Sequence, residues 1–192
     1  MKVNSIIFAT GNKDKLREAE HILGIEVKGT ELEVDEIQSL DPIKVVIRKA
    51  RDYYKLLGKP VFVEDSTAIF KALNKLPGPY LKDFYESLGN EGITKLLDGK
   101  DRTAEASTIV VYVDNFGKEH VFIGKLNGSI AKQPRGDKGW GWDPVFIPEG
   151  SSKTFGEMEE SEKNKYSMRA KALKLFKKWL DSQEENQGVK IH

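Results

Sequence analysis

Short apolar runs and longer stripes of apolar residues at helical spacing alternate along the chain. Runs bounded by glycine or proline are typical of buried strands, and stripes at i, i+3, i+4 and i+7 are typical of helices. We predict strands over residues 3–10, 26–34, 61–66, 103–113, 120–123 and 145–147. We predict the main helices over residues 16–23, 42–57 and 161–180, with short helices between residues 69 and 99. Strands that alternate with helices in this way indicate an α/β fold.

The strand at residues 61–66 ends in Glu64, Asp65 and Ser66, directly after three apolar residues. Carboxylates at the end of a buried strand lie where open α/β sheets bind their ligands. Because side chains alternate along a strand, Glu64 and Asp65 should point to opposite faces of the sheet. We therefore expect at most one of them to point into a site. The plainer interpretation is that both are solvated residues at a strand end.

The first strand runs through a glycine turn into a helix, an arrangement that offers free backbone N–H groups to an anion. Lys15 lies in the first turn of that helix, where a cation opposes the helix dipole. This position is favourable if a phosphate is the partner of Lys15. A plain capped turn with solvated lysines is the alternative. In the next long helix, Arg48 and Lys49 flank the apolar stripe and can reach the edge of a cleft.

The loop at residues 134–144 contains Trp140 and Trp142, separated by one glycine, with Asp143 next to them. The loop has neither helical nor strand spacing. One interpretation is that its aromatic rings pack into the core. The other is that they form a stacking platform for a planar base, since every base has a π-face.

Composition restricts the chemistry. The chain has 192 residues, 31 basic and 30 acidic, which gives no basic excess for a nucleic-acid surface. It has no cysteine, and its three histidines are far apart at positions 21, 120 and 192. Disulfides and thiolate zinc sites are excluded, and a histidine metal site or Ser-His-Asp triad is disfavoured. Any metal is expected to have oxygen ligands, which favours Mg²⁺ with Mn²⁺ as a substitute.

The length fits a single domain, which we place at residues 1–185, followed by a polar tail at 186–192. The strands on either side of the turn at 114–117 predict a long hairpin, and we expect a second lobe at roughly 103–132. No apolar stretch reaches membrane-spanning length, and no signal-peptide pattern opens the sequence. We expect a cytoplasmic protein that does not bind membranes.

Five motifs, in order, resemble those of the inosine triphosphate pyrophosphatase family, also known as HAM1-like proteins. They span nearly the whole chain and together are highly specific. The motifs are Thr10-Gly11-Asn12-Lys13-Asp14-Lys15, Val63-Glu64-Asp65-Ser66, Leu76-Pro77-Gly78-Pro79-Tyr80, Gly139-Trp140-Gly141-Trp142-Asp143-Pro144 and Glu162-Lys163-Asn164-Lys165-Tyr166-Ser167-Met168-Arg169.

The resemblance implies an α/β fold with a long twisted mixed sheet, two lobes and a central substrate cleft. It implies a homodimer that uses Mg²⁺ to hydrolyse the α–β phosphoanhydride of ITP, dITP and XTP. The products are the nucleoside monophosphate and pyrophosphate, and the reaction clears deaminated purines from the nucleotide pool.

The resemblance also implies roles for individual residues. Asp65 would be the proton acceptor, and Glu36 and Asp65 would bind the metal, with Glu64 as a further candidate ligand. Arg169 would donate a hydrogen bond to O6 of a 6-oxo purine. The full set of implied substrate-binding residues is Thr10, Gly11, Asn12, Lys13, Asp14, Lys15, Lys49, Ser66, Lys82, Trp140, Gly141, Trp142, Asp143, Lys163, Met168 and Arg169.

Two positions depart from the family pattern. Met168 stands where histidine is usual, and methionine cannot donate the hydrogen bond that histidine can. Thr67 stands where glycine or another small residue is common. A related pyrophosphatase with different base specificity, such as the Maf-like group, and a catalytically silent nucleotide-binding protein remain alternatives. A silent protein would be expected to lack Glu36, Asp65 or Lys15, and all three are present.

Overall fold

Seven strands form a mixed sheet in a computed structural model that describes residues 4–188, with side chains as far as residue 183. The strands are β1 (Ser5–Phe8), β2 (Glu26–Gly29), β3 (Val61–Phe70), β4 (Pro77–Gly78), β5 (Thr103–Val113), β6 (Glu119–Ile130) and β7 (Phe146–Pro148). The helices are α1 (Lys13–Leu23), α2 (Pro42–Leu57), α3 (Leu81–Leu96), α4 (Glu160–Lys163) and α5 (Met168–Gly188).

The strand order is β2-β1-β3-β5-β6-β7, with β4 paired to the β1 side of β3. Strands β1, β2 and β3 are parallel, and the pairs from β3 through β7 are antiparallel. The α/β fold with a mixed sheet flanked by helices is therefore confirmed.

Strand β3 leaves part of one edge open. It pairs with β1 only at Val61 and Phe62, and with β4 only at Ala68 and Ile69. Within the described chain, residues 63–67 have no strand partner on that side. The Glu64–Asp65–Ser66 segment lies in this gap, so one edge of its backbone faces the space between β1 and β4. Its side chains alternate between the two faces of the sheet.

Helices cover both faces of the sheet beside β1. On one face, α1 and α5 pack against the sheet through a cluster that includes Phe8, Phe62 and Phe176. On the other face lies α2, whose boundaries are as predicted. Asp41 caps its start by accepting hydrogen bonds from the N–H groups of the second and third helical residues, and Gly58 ends it in the left-handed conformation.

A second hydrophobic cluster lies at the far end of the sheet. It combines the last residues of β3 and the open end of the β5–β6 hairpin with α3, β7 and the loop after β6. The predicted hairpin forms, and its strand β5 pairs with the whole length of β3, from Val61 opposite Val113 to Phe70 opposite Ala104. The hairpin therefore reaches both hydrophobic clusters. This second cluster is thus built from several distant segments, not from the hairpin alone. The second lobe at roughly 103–132 stays a prediction.

Several sequence predictions differ from the structure. The first strand ends at Phe8, before residue 10, and β3 and β6 extend beyond their predicted ends to Phe70 and Ile130. The helix predicted over 161–180 and capped by Ser161 is divided into α4 and α5, and the Ser167 hydroxyl accepts from the Ala170 N–H at 3.0 Å at the start of α5. The strand predicted over 26–34 ends at Gly29. Of the polar tail predicted at 186–192, residues 186–188 continue α5, and residues 189–192 lie outside the described residues. In the part of the chain that is described, no helix is both long and apolar enough to cross a bilayer.

Candidate active site

Asp65 is the carboxylate of β3 that faces α2. Its two oxygens lie 3.0 and 3.1 Å from Nζ of Lys49, and the same Nζ contacts Glu36 in the loop before α2. Burial raises the pKa of Asp65 above its ordinary value, although the Lys49 charge opposes this. Burial would lower the pKa of Lys49, but the two carboxylates outweigh it and the pKa is raised. Lys49 therefore stays charged between two carboxylates.

A cavity of about 520 Å³ opens beside this group. This volume is within the range of small-molecule binding sites. Its wall combines apolar side chains from α2 and β5 with charged groups at the rim. The lining residues are Glu33, Val34, Glu36, Pro42, Val45, Val46, Lys49, Tyr53, Asp65, Ser66, Thr67, Pro79, Lys82 and Ile109.

Glu64 points to the opposite face of the sheet, as the alternation of β3 predicts. Its side chain is fully buried and lies 3.2 Å from Nζ of Lys15. Nε of Arg169 donates to both Glu64 oxygens at 2.8 Å, and the Arg169 Nη1 donates to Glu18 at 2.9 Å. The carboxylates outweigh the opposing effect of burial and raise the pKa of Arg169. Glu64 is thus held by two cations and does not share the Glu36–Asp65 group.

The start of α1 is a capped turn. The Asn12 side chain accepts from the N–H groups of Asp14 at 2.9 Å and Lys15 at 3.1 Å, and Thr10 Oγ1 accepts from the Asn12 N–H at 3.2 Å. A Cβ placed on Gly11 would meet no atom within 4 Å, so this turn is open to solvent. The capped turn of the plainer interpretation is present, but Lys15 is not simply solvated, because it pairs with the buried Glu64. A phosphate partner for Lys15 stays a prediction.

The two tryptophans of the 134–144 loop have different environments. Trp142 is 4% exposed and its ring packs edge-on against Phe146 at 4.9 Å, whereas Trp140 is 54% exposed. A stacking role for an aromatic ring of this loop can apply only to Trp140 in this structure, because Trp142 is buried in the hydrophobic cluster. Gly141 is held between them by Asn90, which donates to its carbonyl at 2.9 Å.

Asp143 fixes the shape of this loop. It is buried and accepts from the Trp140 N–H at 2.9 Å and from Nζ of Lys163 at 2.6 Å. Lys163 lies in α4, so the bond ties α4 to the aromatic loop. Both residues were predicted to bind substrate, and here they bind each other. This arrangement holds the Trp140 backbone in place.

The remaining predicted residues lie around these groups. Lys82 is at the cavity rim, and Ser66 lines the cavity while its hydroxyl bonds to Thr108 at 3.1 Å. Met168 begins α5 and packs against the second cluster. Lys13 is exposed, and Asp14 forms an exposed ion pair with Arg17. Neither residue lines the cavity.

Sequence reasoning missed Glu18 and Tyr53 as members of the site. Glu18 stands three residues after Lys15, a spacing that places both on one helix face, and this was the available signal. The Tyr53 hydroxyl donates to the Leu32 carbonyl at 2.8 Å and its ring lines the cavity, although Tyr53 reads only as part of an apolar stripe.

The fold and the site define the class of protein, which is an α/β protein with carboxylates and lysines around an open strand edge, beside a cavity. The chain belongs to the Ham1 family, whose sequence model matches residues 6–179.

The relatives have similar lengths to this chain. A dITP/XTP pyrophosphatase from Methanopyrus kandleri is 45% identical over 178 residues, which cover 91% of this chain and 95% of that protein. An inosine triphosphate pyrophosphatase from Yarrowia lipolytica is 42% identical over 186 residues, covering 94% and 98%. The structure of the Staphylococcus aureus Ham1 protein superimposes with a TM-score of 0.82 at 28% identity, covering 93% of this chain and 99% of that one.

Proposed function

We propose that this protein hydrolyses nucleoside triphosphates with deaminated purine bases, such as ITP, dITP and XTP, to the monophosphate and pyrophosphate. The observation that carries the proposal is the Asp65–Lys49–Glu36 group at the mouth of a cavity of about 520 Å³. Relatives named dITP/XTP or inosine triphosphate pyrophosphatases support it. Removal of such nucleotides from the cellular pool is the role we infer.

The residues present fit a divalent cation. Glu36 and Asp65 approach the same Lys49 nitrogen, so their oxygens already converge on one positive centre. Within the described residues no third histidine, cysteine or carboxylate joins them. Two carboxylates suit Mg²⁺, which commonly takes one or two carboxylates together with substrate phosphates. When bound, Mg²⁺ would offset phosphate charge and lower the pKa of water.

Asp65 is the group we assign as general base. Its carboxylate would accept a proton from water as the water oxygen bonds to the α-phosphorus. The bond from that phosphorus to the bridging oxygen then breaks, and pyrophosphate leaves with the electron pair. Without a metal, burial raises the pKa of Asp65, which makes its carboxylate a stronger base than an exposed one.

Lysines supply the countercharge that this reaction needs. Charge increases on the departing pyrophosphate, and fixed cations stabilise it without further reorganisation. Lys49 lies against Asp65, and Lys15 lies at the start of α1 on the other side of the open edge. Lys82 at the cavity rim is a third cation. Together they would position the phosphate chain along the edge of β3.

We infer that the base lies against Trp140, which is exposed and stacks without sequence preference. Arg169 would select the 6-oxo group, because its guanidinium only donates hydrogen bonds. A 6-amino group presents a donor to this donor, so adenine would be rejected. Two carboxylates, Glu64 and Glu18, hold Arg169 in a fixed orientation for this contact.

The test is pyrophosphate release with Mg²⁺ from ITP, dITP, XTP, GTP, ATP and dTTP. We expect ITP, dITP and XTP to dominate, removal of Mg²⁺ to abolish release, and Asp65→Asn to lower kcat by about 100-fold or more. The Asp137→Asn variant, which changes an exposed carboxylate outside the cavity, is the control and should be unchanged. Equal rates with all six nucleotides would leave the phosphate chemistry intact but contradict the base assignment. Binding of ITP without turnover would indicate a nucleotide-binding protein.

A further inference from the structure

Thr67 carries a buried hydroxyl that has no hydrogen-bond partner among the described residues. The residue is 3% exposed, and its Oγ1 is inaccessible to solvent. Nearly all buried polar side-chain atoms in proteins have a partner, because an unpaired one costs free energy. The Thr67 hydroxyl therefore needs an explanation. Because Oγ1 is inaccessible where it lies, a ligand in the adjoining cavity could complete its bond only after rotation about χ1.

Other hydroxyl groups on β3 and β5 form hydrogen bonds with each other. Ser66, the preceding residue, bonds to Thr108 on β5 at 3.1 Å. Thr67 faces Ser107 in the register of β3 and β5, yet no bond joins the two side chains. The protein thus satisfies the hydroxyl on one face of the sheet and leaves the one on the other face unused.

The unused hydroxyl lies on the face of the proposed reaction. Asp65 and Thr67 are two residues apart on β3, so their side chains point the same way and their Cα atoms are about 7 Å apart. Both line the cavity that also contains Lys49 and Lys82. The backbone beside them is part of the open edge at 63–67. A phosphate chain held by these lysines would pass directly over Thr67.

We propose that Thr67 is a further substrate-binding residue, whose Oγ1 donates a hydrogen bond to an anionic phosphoryl oxygen of the triphosphate. This inference rests on the proposed function and deepens it. A hydroxyl group can donate one hydrogen bond. A hydrogen bond to an ionised oxygen is stronger than a hydrogen bond to a neutral acceptor. Rotation about χ1 exchanges the hydroxyl and the methyl group without moving the strand.

The experiment compares Thr67→Val with Thr67→Ser. Valine has the shape of threonine but no hydroxyl, and serine keeps the hydroxyl. The probe is inorganic triphosphate with Mg²⁺, measured by titration calorimetry, because it contains the phosphate chain without a base. We expect Thr67→Val to bind roughly 10- to 100-fold more weakly than the unchanged protein, and Thr67→Ser to bind nearly as well. The melting temperature of free Thr67→Val should equal or exceed that of the unchanged protein, since an unpaired polar atom is removed.

The inference is overturned if Thr67→Val binds inorganic triphosphate as tightly as the unchanged protein, or if valine and serine weaken binding equally. Failure of the unchanged protein to bind the probe also overturns it. Should Thr67→Val not fold, Thr67→Ala replaces it with the same expectation for binding. ITP turnover by the unchanged protein separates the two proposals. If ITP is turned over but binding of inorganic triphosphate does not depend on the Thr67 hydroxyl, only the Thr67 contact is rejected. If binding of inorganic triphosphate depends on the hydroxyl but ITP is not turned over, only the pyrophosphatase activity is rejected.

Discussion

At the residue scale, neighbouring residues of similar chemistry have different environments, because a strand or a tight loop directs their side chains to different sides. Glu64 and Asp65 were foreseeable as opposed side chains from the period of two alone. Their partners were not foreseeable, because Lys49, Lys15 and Arg169 come from three helices whose placement depends on the whole sheet. Trp140 and Trp142 differ in the same way, because the first side chain is exposed and the second is buried.

Replacing each tryptophan with alanine should separate the two roles. Trp140→Ala should change stability by less than about 0.5 kcal/mol, because the ring is largely exposed, and should raise KM for ITP roughly 5- to 100-fold through lost stacking. Trp142→Ala should destabilise the fold by about 3–5 kcal/mol, because it empties a core position. Chemical denaturation and ITP kinetics measure both effects. If Trp140→Ala leaves KM unchanged, the base does not stack on this ring.

Met168 bears on base selection. It begins α5, directly before Arg169, and packs against the second cluster. Met168→His should leave the fold intact and add a hydrogen-bond donor next to Arg169. We expect a larger ratio of kcat/KM for ITP over ATP, by roughly tenfold for one added hydrogen bond. An unchanged ratio would show that position 168 does not contact the base.

At the scale of elements, local signals define helices better than strand ends. The bounds of α2 follow from Asp41, Pro42 and Gly58, all within the element or next to it. The break between α4 and α5 was missed because Ser161 and Ser167 are both acceptable caps, and only the packing of α5 on the sheet selects the second. The length of β3 was also underestimated, because its last residues are held as a strand by β4 and β5.

The tip of the β5–β6 hairpin provides a test of element stability against pH. Asp114 accepts from the N–H groups of Phe116 and Lys118 at 2.8 and 3.0 Å, and bonds to His120 at 2.8 Å. Burial opposes the charged form, but these bonds outweigh it and lower the pKa of Asp114 below its ordinary 3.8. The carboxylate therefore stabilises the fold fully above the unfolded-state pKa, and the stabilisation disappears as pH falls through the lower folded-state pKa.

Asp114→Asn should accordingly lower the free energy of unfolding at neutral pH, and the difference from the unchanged protein should shrink as pH falls below about 4. Denaturation curves recorded from pH 7 to 2.5 measure this difference. The exposed Asp137→Asn serves as the matched control and should show a small, nearly constant difference. A gap between Asp114→Asn and the unchanged protein that widens in acid would contradict the assignment.

At the scale of the whole molecule, the site exists because the sheet is incomplete. Strand β3 passes from β1 at one end to β4 at the other, and Asp65 reaches the cavity from the unpaired stretch at residues 63–67. The α/β class was predictable from the sequence. The resemblance also named Glu36, Lys49 and Asp65, which the structure brings together, while their roles stay predictions. The open edge was not predictable, because it depends on Pro77 and Gly78 pairing with residues about ten positions earlier, and on helices from both ends of the chain closing around it.

The measurement that tests the central claim most directly is identification of the products formed from ITP. Phosphorus NMR resolves the two ways of cutting the triphosphate, and water labelled with ¹⁸O shows which phosphorus is attacked. The account predicts IMP and pyrophosphate, with the label on the monophosphate and with loss of turnover in Asp65→Asn. IDP and inorganic phosphate, or IMP with the label on the pyrophosphate, would contradict it.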